Sequence, residues 1–321
     1  MLAILAITGP IFALIGMGFA CVRTGLFTRS DMRILGSFVI NVALPALIVS
    51  ALSQRSFTEI LRLDYLLACA GGAILSFSSM LLWFFYVRRR AFQESAITAM
   101  GASISNSAFM GLPIVVQVVG PVASVALALN MVVENIIMLP LVLILADLAG
   151  HNAGGVLERL RDIGWSLLKN PIILAISSGV LLALLQQPLP LFLAKPVDML
   201  AVAAAPVALF AIGGNLAGSR VRGMLADVGQ LVVAKLVLYP LLVGVIALNL
   251  PNMDPRMQAA AILFASMPMF SIYPLIGMKY GMEVLCSAAV VAATLVSFVS
   301  ISVVIWLVQH LGLAQASLAT F

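Results

Sequence analysis

Ser105-Asn106-Ser107-Ala108-Phe109-Met110-Gly111-Leu112-Pro113 and Ser266-Met267-Pro268-Met269-Phe270-Ser271-Ile272-Tyr273-Pro274 each lie near the middle of a long apolar run. Proline has no backbone N–H, and its ring clashes with the carbonyl four residues earlier. For Pro113 and Pro274 those carbonyls belong to Phe109 and Phe270. Gly111 and Pro268 loosen the same stretches further. Both segments are therefore expected to be helices broken at mid-length.

The two stretches are also copies of one another. A single shift of 161 residues carries Pro10 onto Pro171, Gly18 onto Gly179, Pro45 onto Pro206, Phe109 onto Phe270, Pro113 onto Pro274 and Gly120 onto Gly281. Ile11/Ile172, Ile15/Ile176, Ala43/Ala204 and Ser105/Ser266 fit the same shift, although such matches are cheap in so apolar a chain. Prolines and glycines repeated at one offset are not cheap, and they mark an internal duplication.

Lipid is the expected solvent around these copies. The chain is 63% hydrophobic and only 9% charged, with a mean hydropathy of +1.17, where a soluble domain is about 45–50% apolar and about 25% charged. Crossing the bilayer takes about 20 mostly apolar residues. Ten runs qualify, at 3–22, 31–51, 65–87, 95–118, 122–145, 171–186, 198–217, 227–248, 256–278 and 283–308, the sixth being short. The first run has no basic residue before it and holds Gly9-Pro10 and Gly16, so it reads as a retained helix rather than a cleaved leader.

The expected fold is an all-α integral membrane protein of ten helices. Residues 1–146 form the first five-helix repeat, 147–170 a cytoplasmic linker, and 171–321 the second repeat. Five is odd, so the second copy enters from the opposite face and the copies are inverted. Scaffold and transport domains would each mix helices of both repeats, with broken helices four and nine crossing. Inverted halves suit alternating access, because exchanging their conformations turns an inward-open state into an outward-open one. Placing both termini outside puts twelve Lys and Arg residues in cytoplasmic loops and four in outer loops, with Lys235 inside a helix. The positive-inside rule favours that orientation in a cell (inner) membrane.

A helix broken at the midplane exposes a new N-terminus, which carries about half a positive charge and free N–H groups. Two of them meeting there favour an anion such as a carboxylate. Asn106 is the first candidate ligand, since its amide donates to a carboxylate and accepts from a hydroxyl. Ser105, Ser107, Gly111 and Pro113 surround it on one side, and Pro268, Ser271, Tyr273 and Pro274 face it from the other. Ser103 lies close by. The repeat mate of Asn106 is Met267, so one wall should be polar and the other apolar. Asn41, four residues before Pro45, serves either as a ligand or as a partner for local backbone.

Intramembrane charge is costly and points to function. Glu134, with Asn130 one turn before it and Asn135 beside it, and Lys235 in the eighth run are the embedded charges. Glu134, Asn130 and Lys235 are coupling candidates. The blander alternatives are a protonated Glu134 bonded to Asn130, and a Lys235 that reaches back to the membrane surface.

Several classes are disfavoured. Cys21, Cys69 and Cys286 sit in apolar runs as packing residues, and His151 and His310 have no metal-ligand spacing. Neither cofactor nor metal is expected. There is no phosphate-binding loop, no metalloprotease motif and no paired membrane aspartates, which speaks against an enzyme. The net charge of +5 resides at helix ends, so it does not indicate nucleic acid. The partners expected are a small organic anion and the bilayer, with a homodimer left open. A sodium- or proton-coupled symporter and a non-transporting sensor are the alternatives.

The run Asn106-Ser-Ala-Phe-Met-Gly-Leu-Pro113-Ile followed by Gly120, the Pro268…Pro274 pair followed by Lys279-Tyr280, Leu44-Pro45, and Lys235…Pro240 together resemble the auxin efflux carrier family. That family includes plant exporters and bacterial permeases. The resemblance implies ten helices in two inverted repeats, an architecture similar to bile-acid:sodium symporters. It also implies carboxylate substrates, such as auxin, malonate or malate, with Asn106 at the carboxylate. This chain lacks the long central loop of many plant members, and its third run, Tyr65–Val87, has no internal charge. Loop regulation and an acid–base pair in that helix are therefore not carried over.

Overall fold

A computed structural model describes residues 2–53, 62–149, 165, 168–186, 189–217 and 225–314. All regular elements among the described residues are helical, apart from one isolated bridge between backbones. They are α1 Leu2–Arg23, α2 Ser30–Ser53, α3 Leu63–Val87, α4 Phe92–Gly101, α5 Ser107–Val119, α6 Val122–Asp147, α7 Pro171–Leu185, α8 Leu191–Asn215, α9 Leu225–Asn249, α10 Pro255–Ala265, α11 Tyr273–Lys279 and α12 Glu283–His310. Six of these, α2, α3, α6, α8, α9 and α12, are long and apolar enough to cross a membrane. Much of the expected 147–170 linker, and the loops carrying Arg55, Arg159, Arg161, Arg220 and Arg222, lie outside the described residues.

Four helices, α2, α5, α6 and α9, accommodate a proline in the same way. Single wide turns occupy Val39–Ala43, Ser107–Gly111, Val133–Met138 and Ala234–Leu238, and a proline stands two residues after each: Pro45, Pro113, Pro140 and Pro240. The N–H just before each proline reaches back five residues, from Leu44 to Val39, Leu112 to Ser107, Leu139 to Glu134, and Tyr239 to Ala234. The extra residue in the turn moves a carbonyl away from the proline ring, so the helix continues without a clash. Glu134 and Lys235 each sit in such a turn.

Helix α8 differs from expectation. It begins at Leu191 rather than near 198 and takes Lys195 and Pro196 into its first turns. Pro190 sets the entry at φ −54° and ψ 141°, and Pro196 lies inside the helix, where the Phe192 carbonyl loses the donor a helix would supply four residues later. Ser50 on α2 donates to Asp198 at 2.6 Å, which fastens this extension to the neighbouring helix.

Close backbone contacts arise where glycines repeat. A Cβ on Gly18 in α1 would collide with the Phe210 carbonyl on α8. Its sequence mate Gly179 in α7 lies against Leu52 on α2, where an added Cβ would meet the Leu52 Cβ at 2.7 Å. The α1–α8 and α2–α7 contacts are among the most extensive in the fold. Gly120 and Gly281, also mates, both adopt the positive φ that glycine tolerates, at 76° and 70°.

Candidate functional site

Helical hydrogen bonding stops after Gly101 and resumes at Ser107, and it stops after Ala265 and resumes at Tyr273. The two unwound segments lie against each other in antiparallel register. Ser105 pairs with Met269, and the Asn106 N–H donates to the Pro268 carbonyl at 2.8 Å. Backbone left open by the prolines is thus partly satisfied by the other segment, as burial demands. Gly111 permits the close approach, since a Cβ there would stand 2.8 Å from the Phe264 ring.

A cavity of about 430 Å³ opens beside this crossing. Ser105, Asn106, Ser107, Ala108 and Phe109 form one side, and Phe270, Ser271 and Ile272 the facing side. Helix α6 contributes Met131, Glu134, Asn135 and Leu139, and α2 contributes Ile40 and Leu44. Lys169, Asn170, Pro171 and Ile172 stand at the start of α7. The Asn170 side chain caps that helix by accepting from the Ile172 N–H at 2.9 Å, with Pro171 in the first turn.

At the start of α5 the N–H groups of Ser107, Ala108 and Phe109 have no acceptor among the described residues, as expected of a helix N-terminus. The Asn106 amide donates to Ser271 Oγ at 3.1 Å across the crossing. Glu134 also sits at this positive end. Its Oε1 accepts from the Ser107 hydroxyl at 2.7 Å, the Asn130 amide at 2.9 Å and the Ser105 N–H at 3.2 Å. Asn130 also donates to Ser107 Oγ at 2.7 Å.

Lys235 lies at the opposite kind of helix end. Its side chain is fully buried, and Nζ donates at 2.8 Å to both Ser105 Oγ and the carbonyl of Ala265, the last residue of α10. The Tyr239 ring centroid is 4.4 Å away. Each charge therefore matches a helix end, carboxylate at a positive N-terminus and ammonium at a negative C-terminus. Lys235 does not reach for the membrane surface, and Ser105 links it to Glu134.

The remaining sequence candidates have other places. Gly111, Pro113, Pro268 and Pro274 shape the crossing but do not line the cavity. Tyr273 is buried with its hydroxyl donating to the Ile97 and Thr98 carbonyls at 3.1 and 3.2 Å, which closes the end of α4. Asn41 donates to the Ser37 carbonyl of its own helix at 2.8 Å and stays off the cavity wall. Lys169 and Asn170 were not singled out by sequence. The signal present was the N-cap pair Asn170-Pro171 with a cation directly before it.

A family model described as membrane transport protein matches residues 4–305. The chain belongs to the auxin efflux carrier family of membrane transport proteins. It is 30% identical over 302 residues to a protein of Rhizobium meliloti (strain 1021) named "Putative malonate transporter", covering 94% of each chain. It is 24% identical over 266 residues to "Uncharacterized transporter YfdV" of Escherichia coli (strain K12), covering 82% of this chain and 84% of that one. An "Uncharacterized transporter" of Methanothermobacter thermautotrophicus is 24% identical over 296 residues, 91% of this chain and 94% of its own. Membership makes this chain a multi-pass membrane transporter and not an enzyme.

Proposed function

We propose that this family member is a secondary carrier for a small organic anion, a mono- or dicarboxylate, which it moves by alternating access around the crossing. The observation that carries the reading is a cavity lined by Ala108 and Phe109, whose N–H groups have no acceptor among the described residues, and by the Asn106 amide, with Ser271 on the facing side. Such donors hold a carboxylate without a full cation, and the apolar Ile40, Leu44 and Phe270 exclude water from its carbon chain. Lys169 at the α7 side supplies a second anchoring charge, which favours a dicarboxylate. The name of the Rhizobium relative points to the same substrate class.

The ten-helix inverted arrangement belongs to this proposal. Six long helices, the shorter α1 and α7, and the interrupted pairs α4–α5 and α10–α11 make ten crossings. The mirrored Gly18 and Gly179 contacts and the matched turns at Gly120 and Gly281 support an inverted repeat. With both termini outside the inner membrane, Lys169 is cytoplasmic and the cavity faces inward.

Thermal-shift screening of the purified protein against carboxylates of two to six carbons tests the reading, followed by uptake into proteoliposomes. Stabilisation by short dicarboxylates and saturable flux are expected. No shift and no flux with any of them would overturn it.

A further inference from the structure

The two carboxyl oxygens of Glu134 are treated very differently. Oε1 accepts three hydrogen bonds, whereas Oε2 has no donor among the described residues. Glu134 lines the cavity and keeps 5% of its surface exposed. Its buried surroundings are Asn130 on its own helix, Ser105 and Ser107 at the break, Tyr65 and Cys69 on α3, and Lys235 and Tyr239 on α9. Phenols and thiols are ordinarily neutral at physiological pH. Lys235 is thus the one charge facing Glu134 among the described residues, and its ammonium is engaged by Ser105 Oγ and the Ala265 carbonyl.

On the cavity wall, then, Glu134 is the one carboxylate among the described residues, with the Lys235 ammonium buried behind Ser105 and Lys169 exposed at the α7 side. A carboxylate guest adds a second negative charge on the wall that Glu134 occupies. Two carboxylates sharing a site of low polarity do not both stay ionised. A proton on Oε2 removes the repulsion and converts that oxygen from an acceptor into a donor available to the guest. Glu134 stays anchored through Oε1 in either state, so the change needs no rearrangement of the crossing.

We propose that Glu134 is the proton-coupling site: Oε2 takes one proton from cavity water with each carboxylate bound and returns it to water on the far side. The carrier is then a proton–carboxylate symporter. No bond to the substrate forms, and Lys235 stays charged throughout the cycle. This inference rests on the carboxylate reading above and adds the coupling ion and its residue.

Calorimetric titration of the detergent-purified protein with malonate tests it, using two buffers of different ionisation enthalpy at mildly alkaline pH. Linkage requires an uptake of about one proton per malonate in the native protein. Glu134→Gln should abolish that uptake, and Glu134→Asp, which keeps a titrating carboxyl, should restore part of it. In proteoliposomes, an acid gradient should raise malonate accumulation several-fold for the native protein and leave Glu134→Gln unresponsive. Malonate binding without proton uptake in the native protein would sink the coupling and spare the carboxylate reading. Proton uptake that persists in Glu134→Gln would refute the residue assignment. If no carboxylate binds, both ideas fall together.

Discussion

Asn106 and Pro268 come from segments 162 residues apart in sequence, and their backbones join directly, N–H to carbonyl at 2.8 Å. The bond supplies Pro268 with a donor where the helix around it has stopped. It also fixes Asn106 at the first cap of α5, which leaves its side chain beside the cavity. In the proposed carrier, substrate binding and fold closure would thus meet at one residue, through different atoms.

That division makes Asn106→Ala a clean test. The backbone bond survives the substitution, so insertion and purification should be normal. Loss of a hydrogen bond to a charged group is worth about 1.5–3 kcal/mol, or roughly ten- to a hundred-fold in carboxylate affinity. Binding titration on purified protein measures it, and unchanged affinity would remove Asn106 from the site.

On the carboxylate proposal, Lys169 at the cavity would bear on which acid is carried. Its ammonium is exposed at the α7 side of the cavity, far more solvated than Lys235. Lys169→Ala should weaken a short dicarboxylate by up to about fivefold, the upper end of an exposed ion pair, and should hardly affect a monocarboxylate. Added salt should shrink the difference in the native protein. Equal losses for both acids would deny Lys169 any part in specificity.

Glycine at the crossing is a matter of space. A Cβ on Gly101 would stand 2.8 Å from the Tyr273 ring carbons, whose hydroxyl is tied to the Ile97 and Thr98 carbonyls and has little freedom to retreat. Gly101→Ala should cost about 1–3 kcal/mol through overpacking and lower the unfolding temperature measurably. Gly16→Ala is the control, because nothing lies within 4 Å of the added methyl. A helical Gly→Ala there should be neutral or stabilising by up to about 1 kcal/mol. Similar thermal shifts for the two variants would show that the Gly101–Tyr273 contact yields easily.

Sequence exposed the broken helices because proline acts locally. Pro274 stands in the first turn of α11, close behind the interruption at Ala265–Tyr273, whereas Pro113 is absorbed by the wide turn Ser107–Gly111 and the interruption falls before it, at Gly101–Ser107. Residue type marked the two segments, and the exact position of the first break needed coordinates. The partners across the crossing could not be read. Nothing in residue spacing says that Lys235 will bind Ala265, or that Asn41 will turn back to Ser37, since both depend on packing over long sequence separations or on rotamer choice. The wide turns were half legible: Pro140 and Pro240 stood in view behind Glu134 and Lys235, but their effect on the preceding turn required coordinates. The early start of α8 is not legible in sequence because Lys195 reads as a loop cation ahead of the apolar run that begins at Asp198, and the Ser50 hydroxyl that donates to Asp198 lies on another helix.

Lys235 and Glu134 form the last test, because each is buried in a way that depends on the other. Lys235→Met fills similar volume but deletes the ammonium, and leaves Ser105 Oγ and the Ala265 carbonyl without their donor and Glu134 without a compensating charge. Breaking a buried charge pair from one side costs about 3–5 kcal/mol, so the single variant should purify poorly or unfold many degrees early. Adding Glu134→Gln neutralises the other charge while its amide can still fill the site. The double variant should then recover part of the lost stability, with a coupling energy of about 1–3 kcal/mol in the cycle. Thermal unfolding in detergent of all four proteins supplies the numbers. If the two losses simply add, Ser105 insulates the charges from each other instead of connecting them, and the electrostatic balance of the cavity must be set by Glu134 alone.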